Sequence, residues 1–335
     1  MARKLSASVS ARASMATVAA RAGVSGQTVS RVVNGSPRVD PQTRARVEAA
    51  MTELGYRPHR AARALRTGRS HTLGLVVTTL ATVGNSRMLQ ATAEAAAERG
   101  YALTVVTAAD GVDAAFARLA DQGVDGALVL NEASALVPAA TLPPELHLVV
   151  VDAPAGAGAI VVHSDHAAGA EAATRHLLAA GHETVHHLAG PAESFAAAER
   201  ERGWREALTA AGLTPPAVVR GDWSAESGFA AGAALAQATA VFCANDQMAL
   251  GLLRAVAESG RTVPGDVSVV GFDDIAEAAN FLPPLTTIRQ DFPALAQRAV
   301  TALIAAVEGD AAATDPAAPV VVPTRLVERA STARR

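Results

Sequence analysis

The stretch AGVSGQTVSRVVNG, residues 22–35, decides how the first part of the chain folds. Gly23 ends whatever helix precedes it, because glycine takes the left-handed C-cap conformation without steric cost. Ser25 is an N-cap residue, and Thr28, Val29, Val32 and Val33 then give the next helix a buried side up to Asn34-Gly35. Working outward, Ser14 caps an earlier helix running to about Ala22, with Met15, Val18, Ala19 and Ala22 at three- and four-residue spacing. Downstream, Asp40-Pro41 supplies the N-cap and first-turn proline of a third helix. Its apolar stripe is Val47, Ala50, Met51 and Leu54, and Gly55 stops it. Three short helices around one tight turn predict a helix-turn-helix module with a small core of its own.

The charge distribution points to a polyanion as partner. Residues 1–70 carry 13 Lys and Arg against 3 Asp and Glu, whereas the remainder carries 16 against 29, so the net charge of -3 hides a basic head on an acidic body. Clustered arginine neutralises phosphates and releases counterions. A merely solvated basic tail would give the same count, but the outward positions of the second helix carry specific chemistry. Gln27, Thr28, Ser30 and Arg31 are short polar groups plus one long bidentate donor. Glutamine can pair with adenine, arginine with guanine O6 and N7, and hydroxyls with phosphate oxygens.

Together with TRARVEAAMTELGYRPHRAARAL, residues 43–65, this stretch resembles the headpiece of the lactose-repressor (LacI/GalR-type) family, almost unbroken from Ser14 to Leu65. The resemblance implies base contacts from Gln27 and Arg31, and phosphate contacts from Ser25, Thr28, Ser30 and Asn34, with Ser14 in the same DNA-facing set. It also implies a hinge helix starting at Pro58, in which His59, Ala62 and Leu65 meet DNA and Leu65 acts as a minor-groove wedge. A helix this short is unstable alone in water, so it orders only on DNA and against a second copy. The partners implied are double-stranded DNA with a near-palindromic operator, and self, as a homodimer. Gly26 departs from the pattern: the family's eponymous member has tyrosine there, so one base contact is missing and the preferred operator should differ.

From Thr72 the texture changes. Apolar runs (LGLVV, YALTVV, GALVL, LHLVVVD, TVHHLAGP, AVFCAND, VSVVGFDD) alternate with alanine-rich helical stretches. This βαβ rhythm predicts parallel sheets with helices on both faces, and ligands bind such sheets at the carboxyl ends of the strands. Asp152, the Gly190-Pro191 turn, Asn245 and Asp273 each follow an apolar run. The family resemblance continues through ANDQMALG, GDWSAESGF and LPPLTTIRQDF. It implies a periplasmic-binding-protein-like core of two doubly wound parallel-sheet subdomains with a small sugar effector between them. Asp152, Arg200, Asn245 and Asp273 would grip hydroxyls, Trp223 and Phe292 would pack on the ring, and Asn131 would lie near. With aromatic residues at only 3%, a ring beside a binding motif counts for more than usual. Thr82, Gly84, Asn85, Ser164 and Ala196 stand where the eponymous member differs, so a galactoside leads as effector while another sugar or a disaccharide fits too.

The expected organisation is a flexible N-terminal tail at 1–13, a helix-turn-helix domain at 14–57, a hinge helix and linker at 58–70, a sensing core at 71–330 and a tail at 331–335. Within the core the N-subdomain takes about 71–163 plus 290–318, and the C-subdomain about 164–289 plus 319–330. The C-terminal VVVPTRLVERASTARR has no leucine heptads, which favours a dimer over a tetramer.

Other functions are harder to support. Cys243 is the single cysteine, so there is no internal disulfide and no multi-cysteine metal site. His182-Glu183-Thr184-Val185-His186 spells a zinc-protease pattern, but that pattern needs a helix and this one follows Gly181 into a strand. No dinucleotide fingerprint or P-loop occurs, and neither a cofactor nor a metal is expected. Asp152 with Asp273-Asp274 could suggest paired glycosidase carboxylates, yet a binding site explains them equally well. The basic N-terminus is not followed by an apolar segment, and no run approaches the ~20 apolar residues of a membrane span. The reading is therefore a cytoplasmic, nucleoid-associated repressor. A sugar-binding transport component and a glycoside-active enzyme are its rivals, and the headpiece counts against both.

Overall fold

The computed structural model describes residues 13–56, 68–143, 146–155, 159–310 and 319–335. The expected hinge residues His59, Ala62 and Leu65, and residues 1–12 of the expected tail at 1–13, lie outside them. The chain forms two compact units, the second beginning at His71.

In the first unit α1 spans Met15–Ala22, α2 Gly26–Val33 and α3 Pro41–Glu53. The caps are those the sequence names. Ser14 Oγ accepts from Thr17 N at 3.2 Å while Thr17 Oγ1 accepts from Ser14 N at 2.8 Å, a reciprocal capping box. Ser25 Oγ accepts from Thr28 N at 3.2 Å, and the Asp40 carboxylate accepts from Gln42 N and Thr43 N at 3.2 and 2.8 Å. Val18, Ala19, Ala22, Val29, Val32, Val47 and Ala50 form the core, which Val39 and Tyr56 complete from the connecting segments. Met15 is a correction: it is exposed. In an eight-residue helix the first turn lies beyond the reach of the neighbouring helices. Arg21 and Glu53 tie α1 to α3 at 2.7 Å.

The second unit holds two six-stranded sheets. The first comprises β1 (Thr72–Val77), β2 (Ala102–Thr107), β3 (Gly126–Leu130), β4 (His147–Val151), β5 (Ile160–Ser164) and β11 (Val320–Val322). Its order is β11-β5-β4-β3-β1-β2, parallel throughout. Alternate side chains serve opposite faces, as a strand's period of two requires. Leu73, Leu75, Val77, Leu128 and Leu130 pack under α4 (Val83–Glu98) and α10 (Phe292–Glu308). Val76, Ala127 and Val129 pack under α5 (Val112–Asp121).

The second sheet comprises β6 (His186–Ala189), β7 (Val219–Arg220), β8 (Ala240–Cys243), β9 (Ser268–Asp273), β10 (Thr286–Arg289) and β12 (Arg325–Val327), in the order β12-β10-β9-β8-β6-β7. It is parallel except for β12, which pairs antiparallel to β10 at the edge. One face is covered by α6 (His166–Ala179) and α7 (Phe195–Ala210), the other by α8 (Ala225–Ala230) and α9 (Asp246–Glu258).

Two expected boundaries are corrected. Val320–Val322 pair with Val162–Ser164 in the first sheet, so the last crossing between lobes falls at Pro323-Thr324 rather than before residue 319. The final residues belong to the second lobe instead of forming a tail. Ser331 is buried, its Oγ donates to the Val269 carbonyl at 2.6 Å, and Arg335 N donates to the Ala180 carbonyl at 2.8 Å. Among the described residues no helix is long and apolar enough to cross a membrane.

Candidate functional site

Two surfaces carry chemistry, one in each unit. On the first, α2 turns Gln27 and Arg31 outward, exposed and with side chains that make no hydrogen bond or ion pair to other described residues. Their donors are free for an external partner. The other polar residues of the module have structural work as well. Ser14 and Ser25 are the N-caps, Thr28 Oγ1 lies 3.0 Å from Ser25 Oγ, and Asn34 Nδ2 donates to the Ser30 carbonyl at 2.5 Å.

In the second unit a cleft between the two lobes is lined by Asn131, Asp152, Arg200, Trp223, Asn245, Asp273 and Phe292, all seven of the residues that the sequence put forward. Thr82, Gly84 and Ala196 line it too. Asn85 is buried behind them, where its amide donates to the Thr79 carbonyl at 3.0 Å, and Ser164 is buried away from the wall.

The backbone shows how strands deliver these groups. Asn131 (φ 48°), Asp152 (φ 57°), Trp223 (φ 76°) and Asp273 (φ 110°) all have positive φ without being glycine. Three of them sit at or just past the carboxyl end of β3, β4 or β9. Such conformations cost roughly 1–3 kcal/mol each and persist only where surrounding structure holds them. Here they turn each side chain off its strand and into the cleft.

The side chains form one chain of polar contacts. Asp152 Oδ1 lies 2.9 Å from His166 Nε2, and Arg200 Nε donates to His166 Nδ1 at 3.3 Å. Nδ1 must therefore carry the lone pair and Nε2 the proton. Arg200 also donates to the Ala244 carbonyl, stands 3.7 Å from Asp273 Oδ1, and stacks 3.8 Å over Phe272 and 5.5 Å over Trp223. Asp273 Oδ1 accepts from Gln290 Nε2 at 2.7 Å. Burial pushes the Asp152 carboxyl up, but attraction to His166, its hydrogen bond and Arg200 outweigh that and hold it below the ordinary carboxylate range. For Asp273 burial wins over Arg200 and Gln290, and its carboxyl is raised. Beneath it Asp246, wholly buried and bonded to Thr287 Oγ1 at 2.6 Å and Ile275 N at 2.9 Å, is pushed well up by burial and then by Asp273.

Asn245 serves two purposes. It caps α9, accepting from Met248 N at 2.8 Å, and its amide donates to the Trp223 carbonyl at 3.0 Å, which pins the aromatic loop. Gly190 explains how Trp223 fits: a Cβ there would lie 2.3 Å from the indole Cη2, so only glycine lets the ring close over the turn. The indole Nε1 is buried with no hydrogen-bond partner among the described residues, leaving one donor unspent at the cleft. His166, Gln290 and Glu132 belong to the site and were not foreseen. Gln290 alone had a signal in the chain, since it lies within the LPPLTTIRQDF motif, two residues before Phe292.

The zinc-protease pattern has the wrong geometry. His182 lies in a loop with Nδ1 3.2 Å from Thr239 Oγ1, and His186 opens β6. Among the described residues no His, Cys, Asp and Glu cluster could hold a metal ion.

Comparison with known proteins agrees with both units. Residues 14–59 match the model of bacterial regulatory proteins of the lacI family, and residues 174–332 match a periplasmic binding protein-like domain. The chain is 40% identical over 329 residues to the lactose operon repressor of Escherichia coli, covering 94% of this chain and 89% of that one. The chain belongs to the lacI family of bacterial regulatory proteins. It is also 36% identical to the HTH-type regulator CelR of Thermobifida fusca, covering 96% of this chain and 98% of that one. A lac repressor dimer bound to operator and the anti-inducer ONPF superposes with a TM-score of 0.87 at 35% identity, covering 96% of this chain and all of that one. A CelR–cellobiose complex superposes at 0.69 with 32% identity, over 96% of this chain and all of that one. This lacI-family protein is thus a transcriptional regulator and not an enzyme.

Proposed function

We propose that this protein is a cytoplasmic homodimeric repressor that binds a near-palindromic operator through α2 and is controlled by a small sugar in the cleft, a galactoside being the first choice. Gln27 and Arg31 read bases, and Ser14, Ser25, Thr28, Ser30 and Asn34 hold the backbone. His59, Ala62 and Leu65 supply hinge contacts. Asp152, Arg200, Asn245 and Asp273 meet hydroxyl pairs, while Trp223 and Phe292 cover the apolar sugar face.

The observation that carries this reading is the convergence of carboxylate, guanidinium, amide and indole on one cleft drawn from both lobes. A ligand touching both lobes shifts their arrangement by its difference in affinity for the two states. The galactoside follows from the lactose operon repressor, the relative at 40% identity. Thr82, Gly84 and Ala196 in the wall, and the 36% identity to CelR, give a glucose-type disaccharide as the second choice.

The test is operator binding by fluorescence anisotropy with and without saturating sugar. A coupling of about 1–3 kcal/mol is expected, and operator must weaken sugar binding by the same factor. If no galactoside or glucose-type disaccharide changes operator affinity, the reading fails.

A further inference from the structure

A second recess in the core, sharing only Gln290 with the cleft, is lined by Arg87, Asp274, Arg289, Asp291, Arg325 and Arg329 among others. Four guanidiniums face two carboxylates there, and the carboxylates are already committed. Asp274, almost fully buried, uses one oxygen on Arg289 Nε and the other on Arg329 at 2.5 Å. Asp291 caps α10, accepting from Ala294 N at 2.9 Å. Arg87 makes one hydrogen bond, to the Asp274 backbone carbonyl at 3.4 Å, and its further attraction is to Asp273, a carboxylate already held by Arg200 and Gln290, while Arg325 is exposed with no ion pair among the described residues. Two positive charges are therefore left over, in the part of the chain where acids outnumber bases 29 to 16.

The origin of the arginines matters as much as their number. Arg87 projects from α4 of the first lobe, whereas Arg289 ends β10, Arg325 opens β12 and Arg329 follows it in the second. An anion held by Arg87 and Arg325 would be ligated from both lobes at once. Guanidinium forks match the oxygens of a tetrahedral oxyanion bidentately, and a doubly charged phosphate offsets the two uncompensated charges.

We propose that this recess is a binding site for a phosphate dianion, either inorganic phosphate or a small phosphate monoester, which clips the two lobes together. The site is separate from the effector cleft and does not depend on which sugar that cleft takes. By linkage, an anion that favours one arrangement of the lobes changes the protein's affinity for any ligand that distinguishes the same arrangements.

The test is thermal unfolding of the full-length protein without DNA, titrated with inorganic phosphate at ionic strength held constant with chloride. A saturable rise in melting temperature is expected, and Arg325→Gln and Arg87→Gln should each weaken its apparent affinity about tenfold, as loss of one charge-assisted contact implies. Arg325 is exposed, so R325Q folds normally, and circular dichroism verifies it. R31Q, in the basic first unit, should leave the effect intact. A hexose 6-phosphate compared with its free hexose identifies the source: tighter binding than inorganic phosphate assigns a metabolite, equal binding assigns the free ion. The proposal is overturned if phosphate does no more than chloride, if R325Q and R87Q respond as the wild type does, or if the effect is lost in R31Q or Arg200→Ala instead.

Discussion

His166 Nε2 lies 2.9 Å from Asp152 Oδ1, and the contact joins the two lobes: Asp152 follows β4 in the first, and His166 opens α6 in the second. Behind His166 stand Arg200, then Asp273, then Gln290 on the segment leading back to the first lobe. In the proposed reading a sugar hydroxyl in the cleft bonds to members of this chain, so effector binding would draw on the same few atoms as the lobe-to-lobe contact. Replacing His166 by phenylalanine keeps a ring beside Phe272 but strands Asp152. We expect a loss of about 3 kcal/mol in denaturant unfolding, the scale for leaving a buried carboxylate without its hydrogen-bond partner. The pH dependence follows from the lowered Asp152 carboxyl. A depressed carboxylate stabilises the fold above its ordinary value near 4 and loses that contribution as pH falls through the folded value. The acid limb of the stability curve should therefore be shallower in H166F than in the wild type.

The chain has two tryptophans in opposite circumstances. Trp204 is fully buried and donates to the Val185 carbonyl at 2.9 Å, whereas Trp223 lines the cleft with its donor unspent. Effector binding should therefore change the emission of Trp223 alone. Trp223→Phe should keep the fold and abolish the ligand-dependent fluorescence change, while weakening effector affinity about tenfold or more in calorimetry, as loss of a stacking face with its donor implies. A full signal remaining in W223F would place the sugar elsewhere.

Much of this was legible because its causes are local. Ser14, Ser25 and Asp40 announce helix starts through bonds that span three residues, and the alternation of Leu73, Leu75 and Val77 with Val76 announces a buried strand. The cleft residues that follow strand ends were legible for the same reason. His166 was not, because its tie to Asp152 exists only once α6 has packed across the lobes. Tyr56 completes the headpiece core from outside any helix, so no periodicity marks it. Pro323 divides VVVPTRLV between two sheets, since a residue without an N–H cannot continue a ladder, and nothing in the run itself shows which sheet each part joins.

Arg31 offers the cleanest test of base reading. It is exposed, its side chain makes no hydrogen bond or ion pair to the described residues, and it lies in the last turn of α2. Arg31→Ala should thus leave melting temperature unchanged. A bidentate arginine–guanine pair discriminates by about 1–3 kcal/mol, so operator affinity should fall by roughly 10- to 100-fold and specificity should relax at one base pair in each half-site. A loss shared equally by random competitor DNA would assign Arg31 to phosphate instead.

Leu282 is 93% exposed, and Leu250 and Leu80 are also open. In the proposed homodimer a leucine displayed this fully would be buried against the second copy. Leu282→Asp should convert the dimer to monomer at micromolar concentration in sedimentation. Operator affinity should fall steeply with it, because two half-sites are then no longer held by one particle. A dimer of undiminished stability would exclude Leu282 from the interface.

The second lobe should also respond to mild acid, through a residue outside the cleft. His187 is fully buried, stacked 4.7 Å from Phe242 at 7° and bonded through Nδ1 to the Phe242 carbonyl at 2.9 Å. Burial pulls its imidazole down to about 4, so the folded protein keeps it neutral well below the pH at which an unfolded histidine gains its proton. For a base depressed in this way, the unfolded state binds the extra proton first. Stability is then complete above the ordinary histidine value near 6.5 and declines between there and about 4, at up to about 1.4 kcal/mol per pH unit. Burial also lowers His182 and His186, which add smaller contributions of the same sign because both are less enclosed. His187→Gln preserves a donor for the Phe242 carbonyl and removes the titration. Between pH 6.5 and 5, the wild type should therefore lose roughly 1.5 kcal/mol that H187Q does not. Parallel curves for the two proteins over that interval would mean that His187 is protonated in the fold, which its full burial and stacking against Phe242 oppose and which attraction to Glu201 does not overcome.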